Sequence, residues 1–185
     1  MTEAEEARLA VPVGERDYVR GRADAPITLV EYGDYECPDC GSAGPFVRGL
    51  RRRLGDRLRF VFRNFPRIEI HPHAQHAAEA AEAAAAQGKF WEMHDLLFDH
   101  QQALEDADLL RYAVQLGLDV KRFERDLAEH VFAPRVHEDV RGGLQSGVDR
   151  TPTFFLDGVR QGGFFSLPAL LDAMEVASAT HRIQI

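Results

Sequence analysis

The stretch Val30–Cys40, VEYGDYECPDC, runs from an apolar segment into the two cysteines of the chain, Cys37 and Cys40. The segment Ile27–Tyr32 favours β structure, is bounded by Pro26 and Gly33, and reads as a buried strand. Beyond the cysteines, Phe46, Val47, Leu50 and Leu54 recur at helical spacing as far as Gly55, so the Cys-x-x-Cys pair falls where a helix begins. That placement carries chemistry. A helix N-terminus presents unpaired backbone N–H groups and the positive end of the backbone dipole, and both favour a thiolate on Cys37. Pro38 suits the first turn because its missing N–H would be unpaired there in any case. Cys40 lies about one turn on, near enough for a small disulfide. Cys37 would then attack a substrate disulfide and Cys40 would resolve the mixed disulfide.

Composition bounds the rest. A chain of 185 residues fits one domain, or one domain carrying an insertion. It has no apolar run of the length that crosses a membrane. The net charge of −8 argues against a nucleic-acid partner, because Arg51-Arg52-Arg53 reads as an exposed helix face rather than part of a basic stripe. The N-terminal segment is acidic and has neither a basic start nor an apolar core, so it does not read as a secretion signal. The expectation is a cytoplasmic chain, and in that compartment a Cys-x-x-Cys is more often catalytic or metal-binding than structural.

Residues 1–24 are polar and turn-rich and read as a loosely held leader. A second strand, Leu58–Arg63, is closed by Asn64-Phe65-Pro66; with the first strand and the helix between them it makes a βαβ unit. From His71 to Leu144 the pattern is helical. One helix spans Ala74–Ala86 and is closed by Gly88; the next begins at Lys89 or Phe90; a third carries Leu109, Leu110, Ala113 and Val114. Asp119 caps a fourth, and Val136, Val140 and Leu144 mark a fifth. Strand chemistry resumes at Thr153–Leu156, turns at Asp157-Gly158 and pairs back along Val159–Gly163. A last helix begins at Ser166. The fold class is α/β: a leader (1–24), one domain split between 25–66 and 147–185, and an all-helical insertion over 67–146.

VEYGDYECPDC, followed far downstream by RTPTFFLDG (150–158), resembles the thioredoxin superfamily and, within it, the DsbA-like thiol-disulfide oxidoreductases. The resemblance runs from about Pro26 to about Met174. It implies a thioredoxin fold interrupted by a helical domain, and IHPHAQ (70–75) resembles the segment where that insertion starts in one soluble subgroup. It also implies roles: Cys37 as nucleophile, Cys40 as resolving cysteine, and Pro152 as the cis-proline before a late strand. Thr151 would present its backbone to an extended substrate, with Pro38 and Asp39 on the same substrate-facing side. Glu31 matches a buried acid that helps move a proton from Cys40. Electrons would pass through the Cys37–Cys40 disulfide with no bound cofactor, to and from protein or small-molecule disulfides and a redox partner. The sequence departs from the strongest oxidants, which have Pro-His between the cysteines where this chain has Pro-Asp. Glu31, Asp34, Glu36 and Asp39 also crowd negative charge around Cys37, which disfavours a thiolate. These departures point to reduction or isomerisation, with a potential nearer thioredoxin, about −270 mV, than DsbA, about −120 mV.

Other readings compete. His71, His73 and His76 could join the cysteines in a Cys₂His₂ zinc site, making the chain a zinc- or partner-binding module, although no second Cys-x-x-Cys accompanies them. A glutathione-linked transferase or isomerase of the same superfamily commonly has serine or a single thiol at the first position, which the intact CPDC does not match. Glu31 could be an exposed strand-end acid, and Thr151-Pro152 an ordinary trans turn. Phe90 and Trp91 read as core of the insertion. Phe164 and Phe165 could be core or a peptide-contacting patch.

Overall fold

The computed structural model describes residues 7–162. Its elements in order are β1 (Tyr18–Arg20), β2 (Ile27–Gly33), α1 (Pro38–Leu54), β3 (Leu58–Asn64), α2 (Ala74–Ala85), α3 (Phe90–Asp99), α4 (Asp106–Gln115), α5 (Val120–Ala128), α6 (Ala133–Gln145), β4 (Thr153–Leu156) and β5 (Val159–Arg160). The helix expected from Ser166 and the pair Phe164-Phe165 lie outside the described residues.

All seven residues of β2 are buried, which is why its sequence is nearly continuously apolar rather than alternating. β2 pairs with β3 in parallel, from Ile27 opposite Leu58 to Gly33 opposite Asn64, and α1 makes the crossover between them. On its other side β2 pairs antiparallel with β4, Glu31 facing Phe154 and Tyr32 facing Thr153. The sheet order is β1-β3-β2-β4-β5, with β2 in the middle. Ile27, Leu29, Phe60, Phe62, Phe154 and Leu156 form one face, packed into a core shared with α1 and the helices after β3. Val30, Tyr32, Val61 and Phe155 form the other, covered by Leu9, Val13 and Val140. At the β4–β5 turn both Asp157 (φ 48°) and Gly158 (φ 82°) are left-handed, the geometry a two-residue hairpin favours.

The segment expected to be a loose leader is, in its described part, woven into the sheet. β1 pairs antiparallel with β3, the Leu9 N–H donates to the Gly158 carbonyl, and the Arg160 N–H donates to Ala7. Arg63 reaches back from β3 to the buried carboxylate of Asp17 and to the carbonyls of Val11 and Pro12. Edge pairing of this kind uses backbone groups and one buried ion pair, so it leaves no apolar period in the sequence.

The helices α2–α6 lie between β3 and β4 as the helical insertion. α2 is its axis: Ala74, Ala77, Ala78, Ala80, Ala81, Ala83 and Ala84 are all buried, and their small side chains let neighbouring helices approach on several sides. Asp119 caps α5 by accepting the Arg122 N–H. Two positions assigned to apolar stripes face out instead, Val114 at 63% exposure and Leu144 at 62%. Phe90 is buried, whereas Trp91 is half-buried with the Arg20 guanidinium over its ring.

In α6, Gly143 lets the helix lie directly on the second face of the sheet. A Cβ at Gly143 would stand 2.7 Å from the Phe65 ring and 3.1 Å from Tyr32, and those two rings already meet edge to face. Gly143→Ala should therefore lower stability by about 1 kcal/mol, because overpacking of about 2 kcal/mol, within the usual range of about 1–3, outweighs the roughly 1 kcal/mol gained in helix propensity. Urea unfolding measures it. A variant as stable as the wild type would mean that α6 can move off the sheet at little cost.

Candidate active site

The turn between β2 and α1 is organised by a carboxylate. The Asp34 side chain has no exposed surface, and its oxygens accept hydrogen bonds from the N–H of Glu36 (2.8 Å) and the N–H of Arg67 (2.7 Å), with His71 Nδ1 also at 2.8 Å. The Cys37 N–H donates to the Asp34 carbonyl at 3.2 Å, which leaves Cys37 extended (φ −74°, ψ 121°) as the N-cap and Pro38 as the first helical residue. Glu36 is tied in the same way, accepting from the His73 N–H at 2.7 Å and facing His73 Nδ1 at 2.9 Å. On another side Gln101, just after α3, donates its side-chain amide to the carbonyls of Tyr35 and Cys37, both at 2.8 Å.

Both cysteines are free thiols, Cys37 with 6% of its surface exposed and Cys40 with 1%. The Cys37 thiol donates to the Thr151 carbonyl at 3.4 Å, and the Thr151-Pro152 peptide bond is cis. Cys40 Sγ accepts from the Asp34 N–H at 3.4 Å. The two sulfurs are set apart electrostatically. A hydrogen bond from Cys40 draws Cys37 down from 9.0 to about 5 against the opposing effect of burial, helped by Thr151 and by the backbone N–H groups of Cys40 and Asp39. Burial pushes Cys40 well above the usual thiol range, and its hydrogen bond to Cys37 and the nearby Glu31 add to this.

Glu31 is buried at the centre of the sheet, and burial, followed by the charge of Cys37, raises it from 4.5 to about 8. With Cys40, Gly41, Arg48, His94 and Asp99 it lines a cavity of about 240 Å³ between α1 and α3. Pro38 and Asp39 are exposed at the tip of the turn.

The crowd of acids expected to oppose the Cys37 thiolate is dispersed. Asp34 and Glu36 face His71 and His73, Asp39 points to solvent, and Glu31 carries its proton at neutral pH. The three histidines weighed as zinc ligands are likewise divided: His71 meets Asp34, His73 meets Glu36, and His76 meets Asp106. Among the described residues no three His, Cys, Asp or Glu side chains converge as a metal site. Sequence reading did not single out Gln101, which is separated by 64 residues from the cysteine whose carbonyl it binds, and no local pattern marks it.

Comparison with known proteins agrees with this geometry. Residues 14–172 match the family described as Thioredoxin. A relative described as Na(+)/H(+) antiporter NhaA 1, from Salinispora arenicola, is 51% identical over 177 residues, which is 95% of this chain and 27% of the relative. The chain thus spans about a quarter of the length of the antiporter relatives it matches. Among solved structures, a thioredoxin-like oxidoreductase from Silicibacter pomeroyi has a TM-score of 0.74 at 29% identity, covering 90% of this chain and 94% of that one. Oxidised BdbD from Bacillus subtilis has 0.79 at 23% identity, covering 93% and 98%. The alpha-DsbA1 of Wolbachia pipientis has 0.77 at 18%, covering 95% and 97%. The last two likenesses are of fold.

In the reduced protein, Glu31 and Cys37 make stability depend on pH in opposite senses. Glu31 is raised from 4.5 to about 8, so its contribution is complete below 4.5 and is lost as pH rises through 8. Cys37 is lowered from 9.0 to about 5, so its contribution is complete above 9 and is lost as pH falls through 5. Where the two windows overlap, slopes of about 1.4 kcal/mol per pH unit oppose each other. Glu31→Gln removes one of them, so across this range the stability of the reduced variant should rise with pH relative to that of the reduced wild type. Urea unfolding at unit pH steps checks this; parallel profiles would show that Glu31 does not titrate in the folded protein.

Proposed function

The chain belongs to the thioredoxin family, and from that premise we propose that it is a DsbA-like thiol-disulfide oxidoreductase that isomerises or reduces disulfides in polypeptide substrates, with Cys37 attacking and Cys40 resolving. The observation that carries the reading is the asymmetry of the pair: a Cys37 thiolate formed at about 5 beside a buried Cys40 that keeps its proton. The Cys37 thiolate attacks one sulfur of a substrate disulfide, forms the mixed disulfide and releases the other sulfur as a thiolate. Cys40, once deprotonated, attacks Cys37 Sγ. The Cys37–Cys40 disulfide forms, the second substrate thiolate leaves, and the substrate has gained two electrons. If the substrate's released thiolate attacks elsewhere first, the substrate is isomerised with no net electron transfer.

Glu31 suits the deprotonation step. While Cys37 is an anion its charge helps keep the Glu31 proton in place. In the mixed disulfide that charge is gone, Glu31 gives up its proton more readily, and its carboxylate is then free to accept the proton that Cys40 has to lose. The Thr151 carbonyl, 3.4 Å from the attacking sulfur, suits backbone pairing with an extended substrate, and the exposed Pro38 and Asp39 flank the approach. Thiolates formed near 7 and near 3.5 accompany potentials of about −270 and about −120 mV, so a Cys37 thiolate stabilised by Cys40 and the helix N–H groups moves the pair away from the thioredoxin end expected from Pro-Asp, and supports isomerisation over plain reduction.

Cys40→Ser should accumulate mixed disulfides with substrate, Cys37→Ser should not, and equilibration with glutathione buffers should give a midpoint between those of thioredoxin, about −270 mV, and DsbA, about −120 mV. Equal trapping by both variants would remove the division of roles, and a midpoint near −120 mV would make the protein an oxidant.

A second reading concerns the partner, and the antiporter relatives support it. A domain similar to this one makes up part of those proteins, so a membrane ion antiporter is the partner we propose for this dithiol. Mixed disulfides trapped on the Cys40→Ser variant in its native membranes should then contain antiporter peptides; trapping confined to soluble proteins would exclude this.

A further inference from the structure

We propose that Gln101 is a positioning residue for Cys37: its side-chain amide locks the first turn of α1 against the helical insertion, in a slot that Gly41 keeps open. The inference rests on the dithiol reading above and adds to it a residue that sets the reactivity of the pair.

The geometry brackets the nucleophile. Gln101 Nε2 donates to the carbonyl of Tyr35, two residues before Cys37, and to that of Cys37 itself, both at 2.8 Å. The Cys37 carbonyl also accepts the Gly41 N–H at 3.1 Å, as the first rung of the helical ladder. Between those anchored points lie the N–H groups of Asp39 and Cys40 that support the thiolate. Their aim at Cys37 Sγ depends on how firmly this turn is held. Asp34 and Glu36 fix the preceding turn through Arg67, His71 and His73, and Gln101 fixes the turn that carries the sulfur.

Gly41 is the independent observation. Glycine inside a helix costs about 1 kcal/mol relative to alanine. Gly41 is helical and has no positive φ, so nothing in its backbone requires glycine. What glycine supplies is space for the seated amide: a Cβ at Gly41 would overlap Gln101 Oε1 and stand 2.7 Å from its Cδ, so a larger residue would displace that side chain from the slot. The helix gives up a better residue at this position, and the side chain seated there is the one that binds the Cys37 carbonyl.

The test is a double-mutant cycle read on the thiolate. Cys37 ionisation is followed by thiolate absorbance in the wild type, Gln101→Ala, Gln101→Met, Gly41→Ala and the double variant Gly41→Ala/Gln101→Ala. Gln101→Met retains bulk but has no donor. Each single variant should make Cys37 about tenfold harder to ionise, one pH unit upward, and shift exchange with glutathione tenfold toward the disulfide, a midpoint about 30 mV lower. Gly41→Ala should add nothing once Gln101 is alanine, because the slot is then empty. Titrations of both Gln101 variants that coincide with the wild type, with only the unfolding midpoint lowered, would reduce Gln101 to packing and overturn the proposal. So would additive effects of Gly41→Ala and Gln101→Ala. Thiolate titration does not depend on exchange, so a wild type that exchanges no disulfides would sink the proposed function while the lock is still judged by the cycle.

Discussion

A carboxylate with no solvent-exposed surface must find hydrogen-bond donors within the protein, and at Asp34 that requirement shapes the active site. Two backbone N–H groups and a histidine satisfy it, one from the turn itself and two from the segment that leads out of β3 into the insertion. The turn cannot relax without leaving a buried charge unpaired, a loss worth several kcal/mol for a charged group. Cys37 is therefore delivered to the N-terminus of α1 in one conformation.

From that position follows a division of charge. The thiolate sits where helix N–H groups and the Cys40 thiol can stabilise it. The two groups behind it, Cys40 and Glu31, are buried deeply enough to remain neutral. One cavity, lined by α1 and α3, touches both neutral groups.

The insertion does more than cover the sheet. Through His71, His73 and Gln101 it holds the catalytic turn on two sides. A second buried polar network ties it to the strands: Glu82 of α2 accepts from Tyr18 of β1 and from Asn64 at the end of β3, and Asp139 of α6 accepts the Asn64 N–H. Burial raises Glu82 to about 7, while the hydrogen bonds it accepts from Tyr18 and Asn64 oppose that rise. Asn64 Oδ1 is left without a partner inside this network.

What the sequence determined by itself was local. The buried run before Gly33, the cysteine pair with Pro38 at a helix start, the alanine-rich α2 and the Asp157-Gly158 turn are encoded within a few residues each, because period, caps and turn chemistry act over one or two turns of chain. The resemblance carried by CPDC and RTPTFFLDG added roles for Cys37, Cys40, Thr151, Pro152 and Glu31. The tertiary structure decided everything that joins distant residues. It turned four apparent acids near Cys37 into two histidine-paired carboxylates, one solvated and one neutral; it made a polar leader into a sheet edge held by Arg63; it exposed Val114 and Leu144; and it brought Gln101 over Gly41. Such pairings leave no period in the chain, since a buried charge or an orphan carbonyl is satisfied by whichever group the fold brings within 3 Å, however far away that group lies in sequence.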